Sequence, residues 1–122
     1  MQSLELARLV SRLILEKKGG DVVIMDMKKL TTMTDYFVVG TADSTVQIKA
    51  ILEHIQEKLG DESIIPWHVE GVGVLTWVLL DFIDVVVHLF QPDTREFYGL
   101  ERLWGDAEIH TVKDMDEASG IY

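Results

Sequence analysis

Two apolar runs close together constrain this chain more than anything else in it. Val74 to Leu80 and Val85 to Phe90 are almost wholly hydrophobic, and only Asp81-Phe82-Ile83-Asp84 separates them. Runs of this length, rich in β-branched residues and joined by so short a connection, predict an antiparallel hairpin. Neither run alternates with polar residues, so both faces of the hairpin should be covered. A sheet that needs covering on both sides calls for helices. The chain offers two before the hairpin and shorter ones after it.

The first helix is read over residues 3–18, with the stripe Leu6, Leu9, Val10, Leu13 and Ile14. Ser3 is the expected cap, and Gly19-Gly20 the expected stop. The second begins at Ser44, where Gln47 completes a capping-box spacing, and carries Ile48, Ile51, Leu52, Ile55 and Leu59 before Gly60. Short strands are expected at Val22–Met25, Tyr36–Val39 and Trp67–Glu70, and short helices around Phe97, Leu100, Leu103 and Trp104. The order predicts an α/β (α+β) sandwich, a mixed β-sheet of about five strands flanked by helices. Residues 105–122 show little pattern and a net charge of −4. They read as a flexible acidic tail.

Charge divides the 122 residues unevenly. Residues 1–60 hold eight basic and eight acidic side chains, whereas 61–122 hold three and thirteen, so the whole net charge of −10 lies in the second half. This argues against a phosphate-backbone binder and for a basic partner or a solubility role. The chain has no cysteine, which removes disulfides and thiolate chemistry. It shows no apolar run long enough for a membrane span, and neither a signal core nor an arginine-rich transit pattern at its start. A cytoplasmic protein is the expectation.

Catalytic signals are weak. Gly71-Val72-Gly73 precedes a strand-like run rather than a helix, so a turn or bulge is expected instead of a phosphate loop. Asp81 and Asp84 suit a turn better than a cation site. His54, His68, His88 and His110 form no close ligand pair. His88 shares a strand face with Val86 and Phe90, which predicts a core or near-surface histidine. Trp77, Phe97, Tyr98 and Trp104, set among carboxylates, are candidates for a binding face.

Trp77-Val78-Leu79-Leu80-Asp81, then Asp84-Val85-Val86-Val87-His88-Leu89-Phe90, Arg95 and Tyr98-Gly99-Leu100-Glu101-Arg102-Leu103-Trp104 with Gly105-Asp106, together resemble the ribosomal silencing factor (Iojap-like) family. Glu70-Gly71 upstream, and Asp21, Asp35, Gly40 and Ser44 at early element boundaries, extend the resemblance over about residues 3–106. It implies a nucleotidyltransferase-like core without catalysis and without cofactor or metal. The implied partner is the large ribosomal subunit, through its fourteenth protein. Bound there, the factor sterically blocks subunit joining and lowers translation when nutrients are scarce. A homodimer is also implied. Direct sequence-specific nucleic-acid binding is not.

The expected organisation is a silencing domain over 1–106 and an acidic tail over 107–122. The expected partner-binding residues are Trp77 and the anchors Tyr98 and Trp104, Leu100 as apolar filler, Asp81 and Glu101 against basic side chains, and His88 bridging core and face. Where the family usually has glycine before the aspartate at 84, this chain has Ile83. The competing reading is a degenerate nucleotidyltransferase or metal-dependent phosphohydrolase using Glu70, Asp81 and Asp84.

Overall fold

In a computed structural model, which describes residues 1–113, the elements run α1 (Ser3–Glu16), β1 (Gly20–Asp26), β2 (Tyr36–Thr41), α2 (Thr45–Asp61), β3 (His68–Glu70), β4 (Trp77–Asp81), β5 (Val85–Phe90), α3 (Pro92–Tyr98), α4 (Leu100–Leu103) and β6 (Glu108–Val112). The six strands form one mixed sheet in the order β3-β4-β5-β2-β1-β6. Its central pair, β2 and β5, is parallel, while the neighbours on either side are antiparallel. The expected α+β sandwich and the expected hairpin are both present, with Leu79 opposite His88 and Trp77 opposite Phe90.

The two helix stripes explain the first layer. Leu6, Ala7, Val10, Leu13 and Ile14 of α1 and Ile48, Ile51, Leu52, Ile55 and Leu59 of α2 are buried against one sheet face, which supplies Val22, Ile24, Val38, Val78, Leu80, Val85, Val87 and Leu89. Ser44 caps α2 as its spacing predicts, accepting from the Gln47 N–H at 3.1 Å. Gln47 returns a bond to the Asp43 N–H and reaches Lys18 O at 2.8 Å, tying α2 to the end of α1. Ser3 does not cap α1. Gln2 holds that position, and Ser3 donates to Asp35 instead. The helix ends before the expected glycines, since Lys18 takes the left-handed turn at φ 69°. Gly19 then lies so close to Ile14 that a Cβ would collide with it.

Two boundaries differ from expectation. Strand β4 starts at Trp77, not Val74, because Gly71 to Leu75 is consumed in a turn in which Leu75 N–H bonds back to Gly71 O. Gly71 has φ 85°, and a Cβ there would strike the Trp77 carbonyl. The segment after Gly105 is not all tail. Residues 108–112 form β6, paired with β1 from Val22↔Val112 to Asp26↔Glu108. The boundary expected at 106 therefore falls inside the fold, and the sheet has six strands rather than five. The rest of the expected tail, 114–122, lies outside the described residues.

Ile83, in the β4–β5 turn, has φ 74°. That conformation costs an L-residue about 1–2 kcal/mol, most sharply when it is β-branched. The Ile83 side chain is exposed, so it recovers little by burial. Ile83→Gly should therefore stabilise the chain by about 1 kcal/mol, after allowing for the extra freedom of glycine when unfolded. Thermal melting should show a rise of about 4 °C, and a fall would mean that the isoleucine packs more than its exposure suggests.

Candidate docking face

The second sheet face is built by the residues that alternate with the core set. Strand geometry sends Trp77, Leu79 and Asp81 of β4, Val86, His88 and Phe90 of β5, and Phe37 and Val39 of β2 to the side away from α1 and α2. The short helices α3 and α4 cover its middle. Leu100 and the half-buried Trp104 pack there on Val23, Met25, Met27, Val39 and Phe90.

Trp77 is the hub. Its ring stacks on Phe90 at 4.9 Å and lies 4.6 Å from Tyr98. Its Nε1–H donates to His88 Nδ1 at 3.1 Å. Nδ1 therefore carries no proton, and the neutral ring holds its hydrogen on Nε2. His88 is only 4% exposed, and its Nε2 is buried without a hydrogen-bond partner among the described residues. Phe37 meets this ring edge to face at 4.7 Å and Trp104 at 6.3 Å. Burial in this aromatic shell pushes the His88 pKa down to about 4, so the side chain is neutral near pH 7.

Outside this hub the surface is apolar and wet at once. Tyr98 is 51% exposed, and Phe97 and Leu103 are more exposed still. Phe97 and Tyr98 touch edge to face at 5.1 Å. No residue of α3 is buried, and besides the Tyr98–Trp77 contact the helix is held by a polar clamp, Arg95. Its Nε and Nη2 bind both Glu101 oxygens at 3.0 and 3.1 Å, while Nη1 donates to Asp21 O at 2.6 Å and Thr41 Oγ1 at 2.7 Å. One guanidinium thus ties α3 and α4 to the ends of β1 and β2, in the planar fork that suits arginine and not lysine.

The structure sorts the expected residues. It brings Trp77, His88, Tyr98, Leu100 and Trp104 to one region. Asp81 lies about 13 Å further along β4, at the strand's far end. There its Oδ1 accepts from the Ile83 N–H at 2.7 Å, the turn role that its residue type favours. Leu100 is buried in the second core layer, so its expected place as surface filler is corrected: it supports the face from beneath. Glu101 is bound by Arg95, so it is a clamp residue before it is a contact for any basic partner. Sequence reasoning placed Phe97 among the aromatics of a binding face, but it missed Leu103 as an exposed member, because its helical spacing looked like a core stripe, and Arg95 as the anchor.

The competing carboxylate set does not assemble. Glu70 stands opposite Leu79 and Asp81 opposite His68 in the β3–β4 register, while Asp84 sits in the turn. Among the described residues no group of three or more His, Asp or Glu side chains could hold a metal ion. Two clefts, of about 350 Å³ by Leu4, Asp26 and His110 and about 340 Å³ beside Arg95, are lined by none of Trp77, Tyr98 and Trp104. Neither of these clefts opens on the aromatic face, which stands as an exposed surface. No helix among the described residues is long and apolar enough to cross a membrane.

Known proteins share this sequence and this fold. Residues 1–120 match the family described as "Ribosomal silencing factor during starvation". The chain is 37% identical over 94 residues to the ribosomal silencing factor RsfS of Bacillus subtilis, covering 77% of this chain and 80% of that protein. It is 37% identical over 105 residues to the chloroplastic protein Iojap of Arabidopsis thaliana, covering 86% of this chain and 42% of that one. A crystal structure of a Chromobacterium violaceum protein superposes with a TM-score of 0.83 at 32% identity, covering 98% of this chain and all of that one.

Proposed function

The chain belongs to the ribosomal silencing factor family, and from that membership we propose that it docks on the large ribosomal subunit through the subunit's fourteenth protein. Seated there, it blocks subunit joining by bulk and represses translation under nutrient limitation. The work is regulatory rather than enzymatic, and its place is the compartment of the ribosomes it silences, in a bacterium the cytoplasm. The observation that carries this reading is the aromatic face of exposed Tyr98 and Phe97 beside half-buried Trp77, extended by Leu103 and clamped in place by Arg95. Tryptophan and tyrosine held rigidly at a surface are the usual anchors of protein interfaces.

The residues take distinct roles in this proposal. Trp77, Tyr98 and Trp104 anchor. Asp81 offers its carboxylate to lysine or arginine on the partner, while Leu100, His88 and Glu101 hold the anchors in register.

Tyr98→Ala tests the face most cleanly, because the side chain is half exposed and outside both core layers. Loss of a central anchor removes about 2 kcal/mol, so binding to purified large subunits should weaken about thirtyfold. Trp104→Ala should weaken it similarly, with some loss of stability. Binding should also fall as salt rises, as charge-steered association does. If both variants pelleted with large subunits as tightly as the parent chain, the docking face would be elsewhere. A purely structural homodimer would not travel with free large subunits at all.

A further inference from the structure

The second sheet face is covered only in part. Leu100 and Trp104 pack over Val23, Met25, Met27, Val39 and Phe90, on β1, β2 and one end of β5. Leu79 and Asp81 of β4 and Val86 of β5 lie on the same side, next to that cover. Leu79 and Val86 are half-buried, and they join neither core layer. Phe37 of β2 stands beside Val86 in the parallel register. The face continues onto β3, where Glu70 is opposite Leu79 and His68 is opposite Asp81. Both are exposed, and His68 Nε2 lies 3.1 Å from Glu70 Oε1. From strand spacing and rise, this strip is roughly 15 Å wide from β3 to β2 and about 13 Å long from Trp77 to Asp81.

An antiparallel sheet with one face in water normally turns polar residues toward it. Leu79 and Val86 break that rule in the middle of the strip. Around them the charge is of one sign. Between Lys58 and Arg95, the stretch that builds β3, β4 and β5, the sequence has no lysine or arginine. A second copy of this chain would therefore set carboxylates against carboxylates, which disfavours it as the occupant. A protein surface that presents an aliphatic side chain between basic ones suits both features. The strip also runs directly into the aromatic face, because Trp77 is the first residue of the same strand and on the same side.

We propose that this bare strip is the floor of the docking site, where Leu79 and Val86 receive an aliphatic side chain of the ribosomal partner and Asp81 and Glu70 meet lysine or arginine beside it. The inference rests on the ribosomal docking proposed above and extends its footprint from the aromatic anchors across β4 to β3. The apolar floor supplies contact area, and the carboxylates at its rim select a basic partner and set its register. Asp81, remote from Tyr98 along the strand, then belongs to the same footprint as the anchors.

The test measures binding of the full chain to purified large ribosomal subunits. Leu79→Thr and Val86→Thr keep a residue that strands favour, and combined they should weaken binding about tenfold. Glu70→Lys, at an exposed position, should weaken it about fivefold and make it less sensitive to salt. A benzoylphenylalanine placed at position 70 should photo-cross-link to a protein of the large subunit. If the paired threonine variant fails to fold, Glu70→Lys and the cross-link still decide. Parental binding by the floor and rim variants, with no cross-link, while Tyr98→Ala remains weak, would overturn the floor and leave the aromatic docking face standing. Parental binding by Tyr98→Ala as well would instead remove the docking reading itself. Sedimentation that shows the parent chain self-associating, and Leu79→Thr abolishing it, would also overturn the proposal by making a second copy the occupant.

Discussion

A chain ended after Asp106 should lose about 4 kcal/mol or more of stability, enough to lower its melting temperature by roughly 15 °C. The reason is β6. Val112 is 2% exposed within the first core layer, and its removal forfeits about 2 kcal/mol of burial. The ladder between β6 and β1 spans five residue pairs, and each hydrogen bond contributes about 1 kcal/mol. Removal also strips cover from one edge of β1, whose Val22 to Met25 are buried. A chain ended after Lys113 keeps the strand, so urea melts of the two truncations isolate its contribution. Equal midpoints would mean that β6 adds nothing to the fold, and the segment would revert to a tail.

Acid should unfold the protein earlier than its carboxylates alone require, and His88 should be responsible. Burial holds its pKa near 4, below the 6.5 of the unfolded chain. A depressed histidine contributes its full stability above the unfolded value, and that contribution drains away as pH falls from 6.5 toward 4, because the unfolded chain takes up a proton that the folded one refuses. The span corresponds to about 3 kcal/mol. Protonation would also put a second donor against the Trp77 N–H, so the hub bond cannot survive it. Denaturant unfolding at pH 7.5, 5.5 and 4.5 measures the slope. His88→Gln, which retains an acceptor for Trp77, should flatten it in this window. An unchanged slope in that variant would assign the acid sensitivity to other groups.

Much of the fold was legible because its signals are local. The stripes of α1 and α2, the Ser44–Gln47 cap and the hairpin all depend on neighbours within a few residues. What escaped depends on distant partners. Glu108-Ile109-His110-Thr111-Val112 buries only its last residue, so no apolar period marks it, and its strand character comes from pairing with β1. Val74 looked like strand because it is apolar, but the turn that opens at Gly71, with φ 85°, and closes through the Leu75 N–H claims it first. The docking face divides the same way. Trp77 and Tyr98 were named from residue type and family likeness, and they do meet. The Arg95–Glu101 clamp was not legible, since it bridges six positions across the left-handed turn at Gly99, a spacing that no single helix brings together.

The strand order also sets a schedule. β1 lies between β2, which follows it almost at once, and β6, which comes last of the described elements. A nascent chain emerging from its own ribosome can close the middle of the sheet early, yet it must carry β1 with one side unsatisfied until synthesis reaches residue 112. Such a waiting edge is where half-made chains stick to one another. It follows that a chain released before residue 112 should be both weaker and more prone to aggregate than the full chain, with β1 as its exposed edge.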